Sequence, residues 1–223
     1  MSMKKQVILV RPRPKDDNIT AYTHAWSEGV RQLFQESGWT VTDCSMEKAT
    51  RESVEAVLRA QPGSLFVFYG HGQVDHLEGQ DNDAVCDLKN AGLLGKHRVY
   101  VMACHSVTEL GEAAVEKHGA LVYLGYAGFV HGHWGNRKDK EYGGAMYALG
   151  ECVNSGLRAW LGKPASTAEE IKRKMKKAYE YWIDYYMEID DIDYLVATRF
   201  ASVLRHNREA LDVLGNKQTR LLD

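Results

Sequence analysis

Short apolar runs alternate with amphipathic stretches through the first 126 residues. Residues 6–10, 64–69, 98–102 and 120–126 have strand length and strand composition, and 39–42 is a weaker fifth. Between them the apolar positions switch to helical spacing. Tyr22, Trp26, Val30 and Leu33/Phe34 share one face of a helix expected over 21–36, which Gly38 ends. Thr50 can cap a helix with Val54, Val57 and Leu58 inward, stopped by Pro62-Gly63. Residues 109–117 read as helix, and a short helix is expected near 84–90, after the polar, acidic loop 73–83. Strands alternating with helices predict a parallel sheet with crossover helices.

The rhythm changes after residue 126. Residues 125–144 are rich in glycine and aromatics and then in charge, as expected of a long functional loop. Met146, Leu149, Val153, Leu157 and Trp160 then fall on one helical face. Ser166-Thr167-Ala168-Glu169-Glu170 offers a capping box to a long helix with Ile171, Met175, Ala178, Trp182, Tyr185 and Ile189 inward. Residues 194–214 read as one more helix, closed by Gly215. The expected organisation is one α/β domain over 1–223. Its core is 1–126, with a site loop at 127–144 and a helical part at 145–223.

The charge balance, 28 Lys plus Arg against 30 Asp plus Glu, argues against nucleic acid or an anionic membrane as the main partner. The run Lys172–Lys177 has Met175 on the apolar face and its lysines on the other, so it reads as a solvated helix face. No apolar stretch approaches the roughly 18 residues of a membrane span, and a cytoplasmic location is the expectation. Cys44, Cys86, Cys104 and Cys152 are scattered without a Cys-x-x-Cys pair, as in a reduced protein.

Chemistry concentrates at two strand ends. One apolar run leads into Gly70-His71-Gly72, and another into Ala103-Cys104. In open α/β sheets, sites form outside the carboxyl ends of the strands. If the two strands are neighbours, their tips lie roughly 5 Å apart, within reach of imidazole and thiol. A nearby imidazole raises the thiolate fraction of a cysteine and can later protonate a leaving amine. The N–H groups of Gly72 and Cys104 can face a developing oxyanion, with Ala103 leaving room for the approach.

A strand ending in His-Gly followed by a strand ending in Ala-Cys resembles the caspase-like (clan CD) cysteine peptidases, which include caspases, metacaspases, legumains and bacterial CHAT-type proteases. The resemblance covers roughly residues 1–126 and, more loosely, the loop to 144. It implies a caspase-like three-layer sandwich with a six-stranded, mostly parallel sheet, here with a helical C-terminal extension. Five strands are legible, which leaves the sixth unplaced. It also implies His71 as general base and acid, Cys104 as nucleophile, and Gly72 and Cys104 as the oxyanion hole. A protein or peptide substrate is implied, with strict choice of the residue before the scissile bond (P1) and regulated activation. A role in bacterial defence is a further implication. An activating partner or protease fits such a peptidase, with candidate cleavage segments at 73–96 and 129–143. No cofactor is called for.

For substrate contacts, Asp75 and Asp83 after the His71 strand would suit a basic P1 residue, whereas Arg11 and Arg13 would suit an acidic one. The balance leans to Arg or Lys. Phe129, His131 and Trp134 are expected to line the cleft. His131 and His133 together can form a chelate, but no carboxylate stands at ligand spacing, and no metal site is assigned. The alternative to an enzyme is an inactive caspase-like scaffold that binds a partner through its helical tail.

Overall fold

The strand runs carry period-two apolar patterns in which both phases are buried, the signature of a sheet covered on both faces. In β1 (Gln6–Arg11), Val7 and Leu9 join one core while Ile8 and Val10 join the other. β3 (Leu65–Tyr69) repeats this with Leu65, Val67 and Tyr69 against Phe66 and Phe68. β6 (Arg98–Met102) does so with Tyr100 and Met102 against Val99 and Val101. A computed structural model describes residues 5–132, 140–190 and 192–222. With β2 (Thr40–Ser45), β7 (Val122–Tyr126) and β8 (Leu211–Gly215), these strands form a six-stranded sheet in the order β2-β1-β3-β6-β7-β8. All neighbours are parallel except β7 and β8.

One face carries α1 (Asn18–Glu36), α4 (Lys140–Gly162), α5 (Ala168–Glu188) and α6 (Tyr194–Ala210), which share a core with that phase of the strands. The other face carries α2 (Arg51–Ala60), the short α3 (Glu109–Glu112) and a hairpin of β4 (His76–Glu78) and β5 (Ala84–Asp87). Local chemistry sets the helix starts. Asp17 accepts from the N–H groups of Ile19 and Thr20, Thr50 from Ser53, and Asp193 from Leu195 and Val196. Thr167 and Glu170 close the capping box of α5. Among the described residues, no helix is long and apolar enough to cross a membrane.

Two segments differ in secondary structure from the sequence expectation, and on α5 Tyr185, expected inward, is 41% exposed while Tyr186 takes the core position. Residues 84–90 hold no helix: Ala84–Asp87 is a strand paired antiparallel with His76–Glu78. Gly79 lets the hairpin close, because a Cβ there would collide with Ala49 O and Val85 Cγ1. The Asn90 side chain then ties the segment off, accepting from Asp87 N–H and donating to Val85 O. The helix expected over 194–214 ends at Ala210, and Leu211–Gly215 is the missing sixth strand. Its Leu-Asp-Val-Leu sequence satisfies either period, and the open edge of β7 decides, since backbone groups there need partners. Segment 73–96, a candidate cleavage segment, is therefore largely built into the hairpin and its flanking turns.

The strand order reverses between β1 and β3. The chain leaves β1 through α1 to reach β2 on one side, then returns through α2 to β3 on the other. That reversal opens a crevice at the carboxyl ends of β1 and β3, the place where open α/β sheets bind ligands.

Candidate active site

β3 and β6 are hydrogen-bonded neighbours in register, Tyr69 opposite Met102, and Gly70 N–H extends the ladder to Met102 O at 3.1 Å. The two tips that follow are consequently side by side. Gly72 lies so close to the Ala103-Cys104 backbone that a Cβ on it would stand 2.8 Å from Cys104 O and 2.9 Å from Ala103 Cβ. Glycine at 72 and alanine at 103 are therefore a steric pair. Gly72 bridges Leu77 through its neighbours, with Glu78 N–H donating to His71 O and Gln73 N–H to His76 O. This pattern leaves the N–H of Gly72 itself outside the ladder.

Cys104 is half-buried, whereas Cys44, Cys86 and Cys152 are buried. Its Sγ accepts from Val130 N–H at 3.2 Å. Burial pushes the Cys104 thiol above its ordinary value, and the N–H groups of Val130 and Cys104 offset part of that rise. His105 follows at φ 51, in the left-handed region. Its N–H donates to Gly128 O, and its carbonyl accepts from Thr108, so the chain turns sharply after the thiol.

His71 is oriented from the β1–α1 turn, where its Nε2 lies 2.6 Å from Asp17 Oδ2. With Nε2–H donating to the carboxylate, Nδ1 is left as the basic nitrogen. Asp17 serves two roles, because it also caps α1. Burial pushes its carboxyl upward, but the Ile19 N–H, His71 and Thr20 together outweigh that, and its pKa is net lowered. The sequence pattern starts this helix at 21, which leaves Asp17 in the preceding loop and neither its cap nor its partner legible.

His71, Gly72 and Cys104 line one cleft of about 480 Å³. Phe129, Val130, His131 and Gly132 form one wall. Asn207 of α6, 0% exposed, clamps that wall: its Oδ1 accepts from His131 N–H and its Nδ2 donates to His131 O, each at 2.8 Å. Phe129 packs edge-on against His105, and the His131 ring against His206. Asn207 carried no sequence signal, since a polar residue inside a helix is ordinarily a solvated one.

The remaining expected substrate residues are placed differently. Arg11 is 5% exposed, with its guanidinium held by Asp43 (2.9 and 2.6 Å) and Glu28 (2.8 Å). It therefore ties β1 to β2 and α1 and is not offered to a substrate. Arg13 and Asp83 are exposed and do not line the cleft. Asp75 also lies outside the lining and pairs with His76 Nδ1 at 2.7 Å. Trp134 and His133 lie outside the described residues. Among the described residues, no group of three or more His, Cys, Asp or Glu is arranged to hold a metal ion.

No protein-family model matches the sequence, and no curated protein does. The fold does match solved structures. The arginine-specific cysteine proteinase gingipain R (RGPB) superposes with a TM-score of 0.59 at 10% identity, over 98% of this chain and 48% of that one. The complex of the pro- and mature domains of Porphyromonas gingivalis RgpB gives 0.56 at 10% identity, over 97% and 48%. The protein thus has the caspase-like α/β fold found in gingipain R, and it spans about half the length of those chains.

Proposed function

We propose that the protein is a caspase-like cysteine endopeptidase with His71 and Cys104 as its dyad. The observation that carries this reading is the contact of the two tips: Gly72 seats directly on the backbone of Cys104, with His71 beside it and oriented by Asp17. In the proposed reaction Cys104 Sγ attacks the scissile carbonyl carbon while its proton passes to His71 Nδ1. The carbonyl oxygen becomes an oxyanion facing the N–H groups of Gly72 and Cys104, each such donor being worth roughly 10²–10³ in rate. His71 then protonates the departing amine, leaving a thioester on Cys104. Water, deprotonated by His71, releases the acid and restores the thiol. The fold shared with gingipain R supports a protein or peptide substrate.

A second reading, a scaffold binding a partner through its helices, is favoured by the exposed Tyr147, Tyr181 and Tyr194 on α4–α6. Cleavage profiling of a proteome-derived peptide library separates the two. The endopeptidase reading expects cuts by the wild type that Cys104→Ala cannot make, and cutting that persists in Cys104→Ala would sink it.

A further inference from the structure

We infer that the cleft takes an uncharged, apolar P1 side chain of leucine, methionine or phenylalanine type, rather than a basic or acidic one. The inference rests on the peptidase reading above and names its substrate class. Among the described residues, the lining contains no Asp, Glu, Lys or Arg. It includes Trp26 of α1, Met102 at the end of β6, and Met146 and Leu149 one turn apart on α4. Met102, Met146 and Leu149 are 4%, 3% and 2% exposed and belong to the main core on that face.

Several of the polar groups in the lining are already engaged. Thr23 Oγ1 donates to Thr20 O within its own helix, and Gln73 Nε2 donates to Glu78 Oε1. His71 faces Asp17. The nearby charges are engaged as well: Asp17 with His71 and the first turn of α1, Glu78 beside Cys104 with Gln73 and His76, Arg11 with Asp43 and Glu28, Asp75 with His76. Among the described residues, a guanidinium, ammonium or carboxylate entering this cleft would give up water with no unengaged counter-charge in the lining to receive it. An apolar side chain gains contact with Trp26 and with two thioethers whose flexible chains adapt to its shape. The volume of about 480 Å³ is that of an ordinary small-ligand pocket, ample for one large side chain.

The test pairs a P1-varied peptide library with peptidyl acyloxymethyl ketones bearing Phe, Leu, Arg or Asp at P1, read as adducts on Cys104 by intact and peptide mass spectrometry. Cys104→Ala is the control. The expected result is Cys104-dependent cleavage and labelling with Phe or Leu favoured by about 100-fold or more over Arg and Asp. Ile19→Glu places a carboxylate in the lining at a partly exposed position outside the core, and leaves the Ile19 N–H bond to Asp17 in place. It should lower the rate with a Phe P1 about 10-fold and raise that with Arg. Cys104-dependent cleavage after Arg, Lys or Asp, or with no P1 preference, overturns this inference and leaves the peptidase reading standing. Cleavage independent of Cys104, or no cleavage together with no probe reacting faster than plain iodoacetamide, overturns both.

Discussion

Removing the Asn207 side chain tests whether α6 holds the wall of the cleft. In the wild type the buried amide makes both hydrogen bonds that a neighbouring strand would make to His131. Each is worth about 1 kcal/mol net, so Asn207→Ala should weaken the clamp by about 2 kcal/mol. At 1.4 kcal/mol per factor of ten, opening of the wall becomes roughly 30-fold more frequent. Asn207→Asp keeps an acceptor for His131 N–H but sets a second oxygen against His131 O at a buried site, so it should open the wall at least as often as Asn207→Ala. Native-state hydrogen exchange at the His131 and Val130 amides reads this directly, with the β3 and β6 amides as internal reference. Val130 is informative because its N–H is held by Cys104 Sγ on the opposite side. Exchange at His131 unchanged within twofold in Asn207→Ala would refute the clamp, whatever happened to global stability.

Other expectations follow from the same geometry. Gly72→Ala should lower stability by about 1–3 kcal/mol through overpacking against the Cys104 and Ala103 tips, and reduce turnover about 10²-fold by displacing the thiol. Gly29→Ala, in α1 with nothing within 4 Å of its Cβ position, should stabilise by up to about 1 kcal/mol, and equal melting temperatures for the two variants would contradict the packing argument. The Glu28 carboxyl is held at about 2, by the hydrogen bond from Arg31 first and then, against burial, by Arg11. Since this folded pKa lies below the ordinary value of about 4.3, its stabilisation is present above that pH and lost as pH falls toward about 2. Urea midpoints should therefore decline less steeply in Glu28→Gln than in the wild type across that window, and parallel curves would refute the linkage. Limited alkylation near pH 8 should modify Cys104 before the other thiols, because burial pushes Cys44 up to about 11, Cys86 up to about 12 and Cys152 higher still. Equal labelling of Cys44 would contradict the burial pattern.

Much of this organisation is legible residue by residue, and the exceptions share a cause. Thr50 and Thr167 announce their helices because capping is a contact within one turn of chain. The runs 7–10, 65–69 and 99–102 announce the sheet because both faces of each are buried, so every position in them is apolar. The hairpin at 76–87 and the strand at 211–215 do not, since short segments with mixed periods take their conformation from whatever edge or surface needs covering. Arg11 reads as a free cation in the sequence, yet Asp43 and Glu28 are brought to it from 32 and 17 residues away.

By itself, then, the amino-acid order determined the alternation of strand and helix, the Thr50 and Thr167 caps, and the placing of His71-Gly72 and Ala103-Cys104 just beyond two strand ends. Those are consequences of local sterics and of which side chains avoid water. Only the tertiary structure decided that the two tips touch, that Asp17 faces His71, that Asn207 holds the cleft wall, and that charged side chains stay out of the described lining. Each of these joins residues distant in sequence, and their pairing depends on strand order and layer packing, which no local pattern encodes.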